Sequence, residues 1–263
     1  MSDSDFSDKV FCVIGGTSGM GLSAVKALLS RSARVVFSGK DCEEVAAAGG
    51  LLGSAALGVV ADATDPGSAD RVIQKGITAF GRIDGLYHAA GGSGRRMGDG
   101  PLHEITDEGW DYTLRLNLSS VFYSNRAAIR AFLARARGGV ILNMASVLAY
   151  SPSPAHFATH AYTAAKAGII GMSRSAAARY APQNIRVNVI APGLIETPMS
   201  RRAVQDEGIM RFVRSKQPLD GGRAGAPRDV DEAVLYLLSD ASRFVTGQVL
   251  AVDGGWSVTD VTA

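Results

Sequence analysis

The chain has 263 residues, which suits one α/β domain and is long enough to bury a large core without a disulfide or a metal. Its 46% apolar and 20% charged residues are ordinary for a globular protein, and a formal net charge of +2 gives no reason to expect nucleic acid or an anionic membrane as a partner. The two cysteines make no disulfide framework, the polar N-terminus is unlike a secretory signal, and no apolar run is long enough to span a membrane, so we expect a cytoplasmic protein.

The first predicted unit is a strand, a glycine-rich turn and a helix. The strand is the short apolar run Val10–Ile14, typical of a strand buried on both faces. The turn at residues 15–21 leads into an amphipathic pattern that predicts a helix to about Ser30. Glycines in this context let the backbone turn tightly and approach a pyrophosphate at the helix N-terminus. The unit therefore predicts a dinucleotide-binding loop, whereas a glycine cluster alone would be weak evidence.

The end of the second predicted strand, residues 34–38, bears on the choice of cofactor. Enzymes that use NAD usually place an acid there, about 20 residues past the glycine turn, to bind the ribose hydroxyls. This chain has Gly39 and Lys40, and a lysine suits the extra phosphate of NADP, so NADP is favoured and NAD is the alternative. Asp41 is the rival candidate, but with Glu44 it also makes a capping box for the next helix.

Strands and helices continue to alternate along the rest of the chain. Further strands are predicted at residues 57–61, 83–90, 140–144, 185–190 and 249–252. Further helices are predicted after an Asp65 cap and Pro66, over most of residues 107–136 up to Gly138 and Gly139, and over residues 162–178 and 229–238. This order predicts one domain over residues 1–263, a doubly wound parallel sheet of about seven strands with helices on both faces. Residues 1–8 are expected to be a disordered tail.

Polar and small residues follow six of the predicted strands. Because ligands of such sheets bind at the carboxyl ends of the strands, we expect these residues to share one site. They are Ser18, Lys40, Asp62, Gly91, Ser146 and the pair Pro192 and Gly193.

Tyr162 and Lys166 are the pair that predicts proton chemistry. Four residues apart in a predicted helix, their side chains leave on the same face. A free phenol has a pKa near ~10, and a cation beside it is expected to lower that pKa toward the working range. The pair therefore predicts a tyrosine acid–base catalyst, and the alternative is an exposed lysine beside a half-buried tyrosine.

Together these motifs resemble the short-chain dehydrogenase/reductase family, and the resemblance covers essentially the whole chain. The residues that carry it are Gly15, Gly19, Gly21, Asp62, Ala89, Ala90, Gly91, Asn117, Ser146, Tyr162, Lys166, Pro192, Gly193 and Thr197. The resemblance implies a Rossmann-like fold that binds NAD(P). With the small residues on the Tyr162 helix, it also implies a homodimer or homotetramer.

The resemblance further implies a role for each site residue. Tyr162 exchanges a proton with the substrate oxygen, Lys166 lowers the Tyr162 pKa and holds the nicotinamide ribose, and Ser146 hydrogen-bonds the substrate oxygen. Asn117 anchors a water that links Lys166 to solvent. Cofactor contacts are implied for Gly15, Thr17, Ser18, Gly19, Met20, Gly21, Ser38, Gly39, Lys40, Asp62, Ala63, Ala89, Ala90, Gly91, Tyr162, Lys166, Pro192, Gly193, Ile195 and Thr197. Structural readings stay open for Ser146 as a strand-end cap, Asn117 as a helix residue and Thr197 as a turn residue.

The chain departs from the family pattern in three places. Ile14 stands where threonine is common, His88 and Ala89 stand where the family often has two asparagines, and the interval from Ser146 to Tyr162 is longer than usual. A turn hydrogen bond at Ile14 is therefore missing, and an asparagine contact at residues 88–89 is lost or replaced.

The substrate pocket is expected from residues 93–102, 148–160 and 197–225. Arginines in the first and third segments either bind a carboxylate, a phosphate or a phosphopantetheine carrier, or are solvated surface residues; they are Arg95, Arg96, Arg201, Arg202 and Arg211. His156 and His160 have no convincing third ligand nearby, so no metal is expected.

The leading functional prediction is an oxidoreductase that interconverts a ketone and a secondary alcohol by hydride transfer, with 3-oxoacyl-thioester (acyl-carrier-protein) reduction as one candidate. One alternative is an isomerase or lyase that recycles a tightly held nicotinamide. Another is a non-catalytic cofactor sensor, against which the complete set of Asn117, Ser146, Tyr162 and Lys166 argues, because a sensor needs no proton machinery.

Overall fold

A seven-stranded parallel sheet runs through the computed structural model, which describes residues 6–260. The strands are β1 Val10–Ile14, β2 Arg34–Gly39, β3 Ala56–Val60, β4 Gly85–His88, β5 Gly139–Met144, β6 Ile185–Pro192 and β7 Val249–Val252. They pair in the order β3-β2-β1-β4-β5-β6-β7, and every pair is parallel. The strand order reverses between β1 and β4, and a crevice at the carboxyl ends is expected at such a point. The predicted doubly wound sheet is confirmed.

Helices cover both faces of this sheet. They are α1 Gly19–Ser30, α2 Cys42–Leu52, α3 Ser68–Phe80, α4 Asp107–Leu114, α5 Ser120–Arg135, α6 His160–Tyr180, α7 Arg201–Gln205, α8 Glu207–Lys216 and α9 Arg228–Leu238. Across residues 6–260, no helix is both long and apolar enough to cross a membrane.

The alternation of side chains along the strands creates two cores. All five residues of β1 are buried. Phe11 and Val13 pack with residues of α1, α2 and α9, whereas Cys12 packs with residues of α3 and α5. Because successive residues of a strand point to opposite faces, one apolar run supplies both cores. This explains why β1 reads as a continuous apolar run in the sequence.

The beginnings of α2 and α3 differ from the predictions. The prediction that Asp65 caps α3 is wrong, because Asp65 accepts a hydrogen bond from the Gly67 N–H at 3.1 Å in a turn, and the helix begins only at Ser68. Asp41 does cap α2, accepting from the N–H groups of residues 43 and 44 at 2.9 and 3.0 Å. The reciprocal half of the capping box is absent, because the Glu44 carboxylate accepts from the Thr17 hydroxyl at 3.1 Å instead.

The long helix predicted over residues 107–136 contains a π-helical turn, Arg115–Ser119, between α4 and α5. The helix ends before Gly138, because Ala136 adopts the left-handed conformation with φ of 50°. The predicted strand at residues 83–90 is shorter than expected, since Ala89 and Ala90 both donate their N–H to the Ile14 carbonyl as the chain leaves the sheet.

The predicted tail, residues 1–8, falls only partly within the described residues. Residues 1–5 lie outside them. Phe6 is buried, and its ring packs edge-on against that of Phe11 with centroids 5.5 Å apart. The expectation of disorder therefore does not extend to Phe6.

Candidate active site

A cleft of about 1220 Å³ opens at the carboxyl ends of the strands. Each predicted cofactor residue lines it, as do Ser146, Tyr162 and Lys166. Asn117 is fully buried and lies behind the wall of the cleft. A smaller cavity of about 630 Å³ at the opposite edge of the sheet contains none of the predicted site residues. The expectation that the strand ends would bring these residues into one place therefore holds for the cleft.

The glycine-rich turn leaves room for a ligand against the backbone. Gly15 has φ of 84°, in the left-handed region that favours glycine. A Cβ on Gly21 would lie 1.9 Å from the Gly15 carbonyl oxygen, so no larger residue fits there. Ser18 precedes α1 without a side-chain capping bond, which leaves the first N–H groups of the helix for another partner. A cofactor pyrophosphate fits these features.

One basic and two acidic side chains line the far end of the cleft, where the adenosine of a dinucleotide would lie. Lys40 is exposed and lines the cleft, whereas the Asp41 carboxylate is occupied by the N-terminus of α2. Glu44 also lines this end, bonded to Thr17. Asp62 accepts hydrogen bonds from the N–H and the hydroxyl of Thr64, both at 2.8 Å, which orders the turn after β3.

Tyr162 and Lys166 share one face of α6. The Lys166 Nζ lies 5.4 Å from the centroid of the Tyr162 ring. It also donates a hydrogen bond to the Met144 carbonyl at 3.0 Å, and the lysine is only 3% exposed. A buried ammonium is thus held between the phenol and the end of β5. The alternative of an exposed lysine beside the tyrosine is wrong.

The pKa values of this pair are governed by burial. Burial raises the pKa of Tyr162 to about 12, and a hydrogen bond with Ser146 opposes that rise. Burial lowers the pKa of Lys166 to about 8. The expectation that the ammonium would pull the phenol pKa down is therefore wrong for the protein on its own, because desolvation of the phenolate has the larger effect. Tyr162 holds its proton at neutral pH.

The Ser146 hydroxyl is placed for both roles that the sequence left open, as a cap after β5 and as a hydrogen-bonding group in the cleft. It follows β5 by two residues, and its Oγ accepts a hydrogen bond from the Leu148 N–H at 3.2 Å. The same hydroxyl lies close enough to the Tyr162 phenol to lower its pKa. Both hydroxyl groups line the cleft beside Lys166, where one carbonyl oxygen can contact both.

Asn117 lies in the π-helical turn, and its amide holds the loop after β4. Its Nδ2 donates to the carbonyls of Gly92 and Thr113 at 2.9 and 3.0 Å, and its Oδ1 accepts from the Gly92 N–H at 3.1 Å. A Cβ on the neighbouring Gly91 would lie 2.9 Å from the Asn117 Oδ1 and 3.4 Å from the Lys166 Nζ. Asn117 is thus close to Lys166, and π-helical turns are frequent at functional sites. The water that it is expected to anchor stays a prediction.

Asp99 was not among the sequence-predicted site residues. It is 4% exposed, and its carboxylate accepts hydrogen bonds from the N–H groups of Ala161 and Tyr162, each at 3.0 Å. Thr159, at the N-cap position of α6, makes no side-chain capping bond. A distant loop therefore caps the helix that carries Tyr162, and no local sequence signal reveals it.

Gln217 was also missed, and it holds the loop after β6. It is buried, its Oε1 accepts from the Leu194 N–H at 3.0 Å, and its Nε2 donates to the carbonyls of Leu194 and Arg223 at 3.2 and 3.0 Å. Further along this loop, the Thr197 hydroxyl donates to the Ser200 Oγ at 3.3 Å. Gln217 therefore fixes this loop beside the cleft through neutral hydrogen bonds and adds no charge there.

His88 replaces a family asparagine with a different buried contact. Its Nδ1 lies 2.7 Å from the Ser124 Oγ, and its Nε2 lies 3.4 Å from the Ser120 Oγ. Burial, together with the charge of nearby Lys166, lowers the pKa of His88 to about 3. The ring is therefore neutral and ties the end of β4 to α5.

Aromatic residues and arginines surround the substrate side of the cleft. The ring of Trp256 packs edge-on against Phe157 and Phe212, with centroids 5.8 and 5.5 Å apart. Arg95, Arg96, Arg201 and Arg202 line the cleft, but Arg211 does not.

His156 and His160 are engaged in separate contacts. The His156 ring lies 4.8 Å from that of Phe212, and the His160 Nδ1 lies 2.9 Å from the Gly100 carbonyl oxygen. Within residues 6–260, no group of three or more His, Cys, Asp or Glu side chains could hold a metal ion.

Comparisons with known proteins place this geometry among dehydrogenases and reductases. A family model described as enoyl-(acyl carrier protein) reductase matches residues 15–257. The cis-4-hydroxycyclohexanecarboxylate dehydrogenase of Sinomonas cyclohexanicum is 34% identical over 254 residues, which is 96% of this chain and 98% of that protein. The 3-oxoacyl-acyl-carrier-protein reductase FabG of Escherichia coli (strain K12) is 34% identical over 253 residues, covering 95% of this chain and 98% of FabG.

Solved structures agree with the sequence relatives. A short-chain type dehydrogenase/reductase from Mycobacterium ulcerans superposes with a TM-score of 0.89 at 30% sequence identity, over 97% of this chain and 92% of that chain. Levodione reductase superposes with a TM-score of 0.86 at 26% identity, over 96% of this chain and 98% of that chain.

Proposed function

Because the chain belongs to the short-chain dehydrogenase/reductase family, an oxidoreductase family that binds a nicotinamide cofactor, we propose that it reduces a ketone to a secondary alcohol with NADPH, and catalyses the reverse with NADP. The observation that carries this proposal is that Ser146, Tyr162 and the buried Lys166 line one cleft, with the Lys166 Nζ 5.4 Å from the centroid of the Tyr162 ring. The glycine turn of the same cleft, open to a pyrophosphate, supports it.

Tyr162 is the proposed acid. Because burial keeps its pKa high, the phenol holds a proton that it can give to a carbonyl oxygen at neutral pH. Ser146 holds that oxygen by a hydrogen bond and stabilises the negative charge that develops on it. The cofactor, when bound, supplies the hydride to the carbonyl carbon.

Lys166 is the proposed electrostatic partner of Tyr162. Its ammonium lies close to the phenol, so it favours the phenolate that proton donation leaves behind. We also propose that Lys166 holds the nicotinamide ribose and that Asn117 anchors a water beside it. The position of Gly91 between these two side chains supports this arrangement.

NADP is proposed in preference to NAD. Lys40 is exposed at the end of the cleft where the adenosine ribose would lie, and the competing Asp41 carboxylate is already bonded to α2. The carboxylates of Glu44 and Asp62 also line this end and disfavour a phosphate, although Glu44 accepts a hydrogen bond from Thr17 and Asp62 accepts two from Thr64. The remaining predicted residues, among them Ala63, Ile195 and Thr197, are proposed to contact the rest of the cofactor.

The proposed substrate is a ketone of the kind that the names of the relatives indicate. One relative is named for a hydroxycyclohexanecarboxylate and another for a 3-oxoacyl group on acyl carrier protein. Both names describe a secondary alcohol or the matching ketone. A 3-oxoacyl thioester therefore stays one specific candidate for this chain.

We propose that residues 1–263 form one cytoplasmic domain that assembles as a homodimer or homotetramer. All seven strands within residues 6–260 belong to one sheet. On α6, the small side chain of Ala164 is exposed, and so is Gly171, where an added Cβ would meet no atom within 4 Å. Such a face permits close packing of a second helix. Light scattering during size-exclusion chromatography tests the assembly.

The decisive experiment is an assay of the purified protein with a panel of ketones and secondary alcohols, with both NADPH and NADH, followed by nicotinamide absorbance. Oxidation of NADPH with formation of the alcohol supports the proposal. A rearranged or eliminated product with no net change in absorbance would indicate the isomerase or lyase alternative. Cofactor binding without any product would indicate the sensor.

A further inference from the structure

The arginines along the exposed side of the cleft lack carboxylate partners. Arg95, Arg96, Arg201 and Arg202 all line the cleft, and within residues 6–260 none of them forms a salt bridge. Arg223, by contrast, contacts both Asp220 and Asp229. Four guanidinium groups therefore line one side of the cleft with no carboxylate of the described residues in salt-bridge contact.

Two of these arginines line the cleft from different elements and repel each other electrostatically. Arg95 follows β4, and Arg202 lies on α7. Burial lowers the pKa of Arg95, and repulsion from Arg202 lowers it further. Holding two like charges together in a partly buried place is unfavourable unless an anion lies between them. The pair is thus arranged for a negative ligand.

Among the described residues, the carboxylates nearest to this pair attract it but form no salt bridge with it. Asp99 attracts Arg95, but both of its oxygens accept hydrogen bonds from the backbone of α6. Asp206 attracts Arg202, but its carboxylate caps α8 by accepting from the Ile209 N–H at 2.9 Å. Because neither carboxylate hydrogen-bonds a guanidinium, Arg95 and Arg202 keep N–H groups for a ligand.

Arg95 is also held in position relative to the reacting groups. Its Nη2 donates to the His156 carbonyl at 3.3 Å, on the segment between Ser146 and Tyr162. Four residues further along its own loop, Asp99 bonds the Tyr162 N–H. Apolar side chains line the same cleft, including Leu148, Phe157 and Met199. A ketone with an apolar middle and a charged end would match this arrangement of reacting groups, apolar side chains and arginines along the cleft.

We propose that Arg95 and Arg202 together bind the anionic group, a carboxylate or a phosphate, of a ketone substrate whose carbonyl lies at Ser146 and Tyr162. The inference rests on the proposed function of the same cleft. A guanidinium binds either anion through two parallel hydrogen bonds, so two guanidiniums that line the same cleft can bind one charged group together. Neutral ketones of the same skeleton bind without this contact.

The test uses a homologous series of methyl ketones that end in a carboxylate, in a phosphate monoester, or in the uncharged primary amide, assayed with NADPH. We expect kcat/KM for the best anionic ketone to exceed that for its amide by about tenfold to hundredfold, since charged hydrogen bonds discriminate by that order. The advantage should shrink as salt is added, because salt screens exposed charges. Either anion supports the site, and their ratio identifies the group.

Variants separate this site from a diffuse basic surface. Arg95→Gln and Arg202→Gln should each remove most of the anion advantage and leave kcat/KM for the amide within about twofold. Arg96→Gln and Arg201→Gln are the matched controls, because these neighbours line the same cleft. They should keep most of the advantage. The anion advantage of Arg95→Lys should lie between those of the unaltered protein and Arg95→Gln, because lysine keeps the charge but cannot form two parallel hydrogen bonds.

Three results would overturn the inference. The first is an amide reduced as well as the anions by the unaltered protein. The second is an equal loss of kcat/KM for the carboxylate, phosphate and amide ketones in Arg95→Gln and Arg202→Gln. The third is the same loss in the control variants. A panel in which no ketone of any charge is reduced would instead refute the proposed function. Calorimetric binding of a saturated carboxylate that lacks the ketone group tests the arginine pair independently of turnover, and unchanged affinity in both pair variants would also refute the inference.

Discussion

The carboxylate of Asp99 accepts a hydrogen bond from the backbone N–H of Tyr162 at 3.0 Å, although the two residues are 63 positions apart in the chain. The loop after β4, which contains Asp99, thus caps α6, the helix that carries the proposed acid Tyr162. Because Asp99 is buried and bonds two N–H groups, its loss leaves both groups without a partner and away from water.

Asp99→Ala should lower the free energy of unfolding by roughly 2 kcal/mol, because two buried N–H groups lose their acceptor. Urea unfolding followed by circular dichroism measures it. The matched control is Asp41→Ala, which also removes two capping bonds but at an exposed helix end. It should cost about 1 kcal/mol or less. Equal effects of the two substitutions would mean that Asp99 is an ordinary surface cap.

Tyr162→Phe should reduce kcat by at least about a hundredfold, because a positioned acid contributes on the order of 10²–10⁴ to the rate. The dissociation constant for NADPH, measured by fluorescence titration, should change little. Tyr112→Phe is the control, since Tyr112 also lines the cleft. Near-normal turnover in Tyr162→Phe would contradict the role of this phenol.

Lys40→Asp should lower the ratio of kcat/KM for NADPH to that for NADH by about tenfold or more, because it replaces attraction to a phosphate with repulsion. Glu44→Gln should shift the ratio in the opposite direction, since it removes the carboxylate at the same end of the cleft. Steady-state kinetics with both cofactors measure the ratio. If Lys40→Asp leaves it unchanged, the adenosine ribose binds elsewhere.

His88 should make the fold sensitive to acid. The unfolded chain binds the His88 proton with the ordinary histidine pKa of 6.5, whereas the folded chain binds it only at about 3. Between these values the unfolded state holds more protons, so stability is lost as the pH falls below about 6.5. From pH 7 to pH 5 the wild type should lose about 2 kcal/mol more than His88→Asn.

Urea unfolding at the two pH values measures the loss from His88. His103→Gln is the control, because His103 is exposed, and it should follow the wild type. If His88→Asn loses as much stability in acid as the wild type, the histidine ring is already protonated in the fold.

The sheet could be predicted because each strand has a local signature. β1 is a buried apolar run, and its alternating residues feed both cores. The glycine turn and the Tyr162–Lys166 pair are equally local, since their geometry follows from spacing within one turn or one helix. Because ligands of such sheets bind at the carboxyl ends of the strands, residues that follow different strands can be predicted to share a site even when no contact between them is known.

What the sequence did not reveal depends on contacts between distant segments. Asp99 and Gln217 act on loops and helices far along the chain, and nothing near them in sequence marks the partner. The Tyr162 pKa was misjudged because spacing indicates a neighbouring charge but not the extent of burial, and burial has the larger effect here. The start of α3 was misplaced because a turn with an aspartate resembles a helix cap.

The loop that lines the substrate side is pinned at both ends, by the amide of Asn117 at Gly92 and by Asp99 at the start of α6. Residues 93–98 lie between these two anchors, and Arg95 adds a third contact by donating to the His156 carbonyl. Two positions of the segment require glycine, because a Cβ on Gly94 would lie 1.7 Å from the Thr113 hydroxyl oxygen and Gly98 has φ of 100°. A loop grafted here from a relative with another substrate should therefore keep both glycines while its other side chains are exchanged.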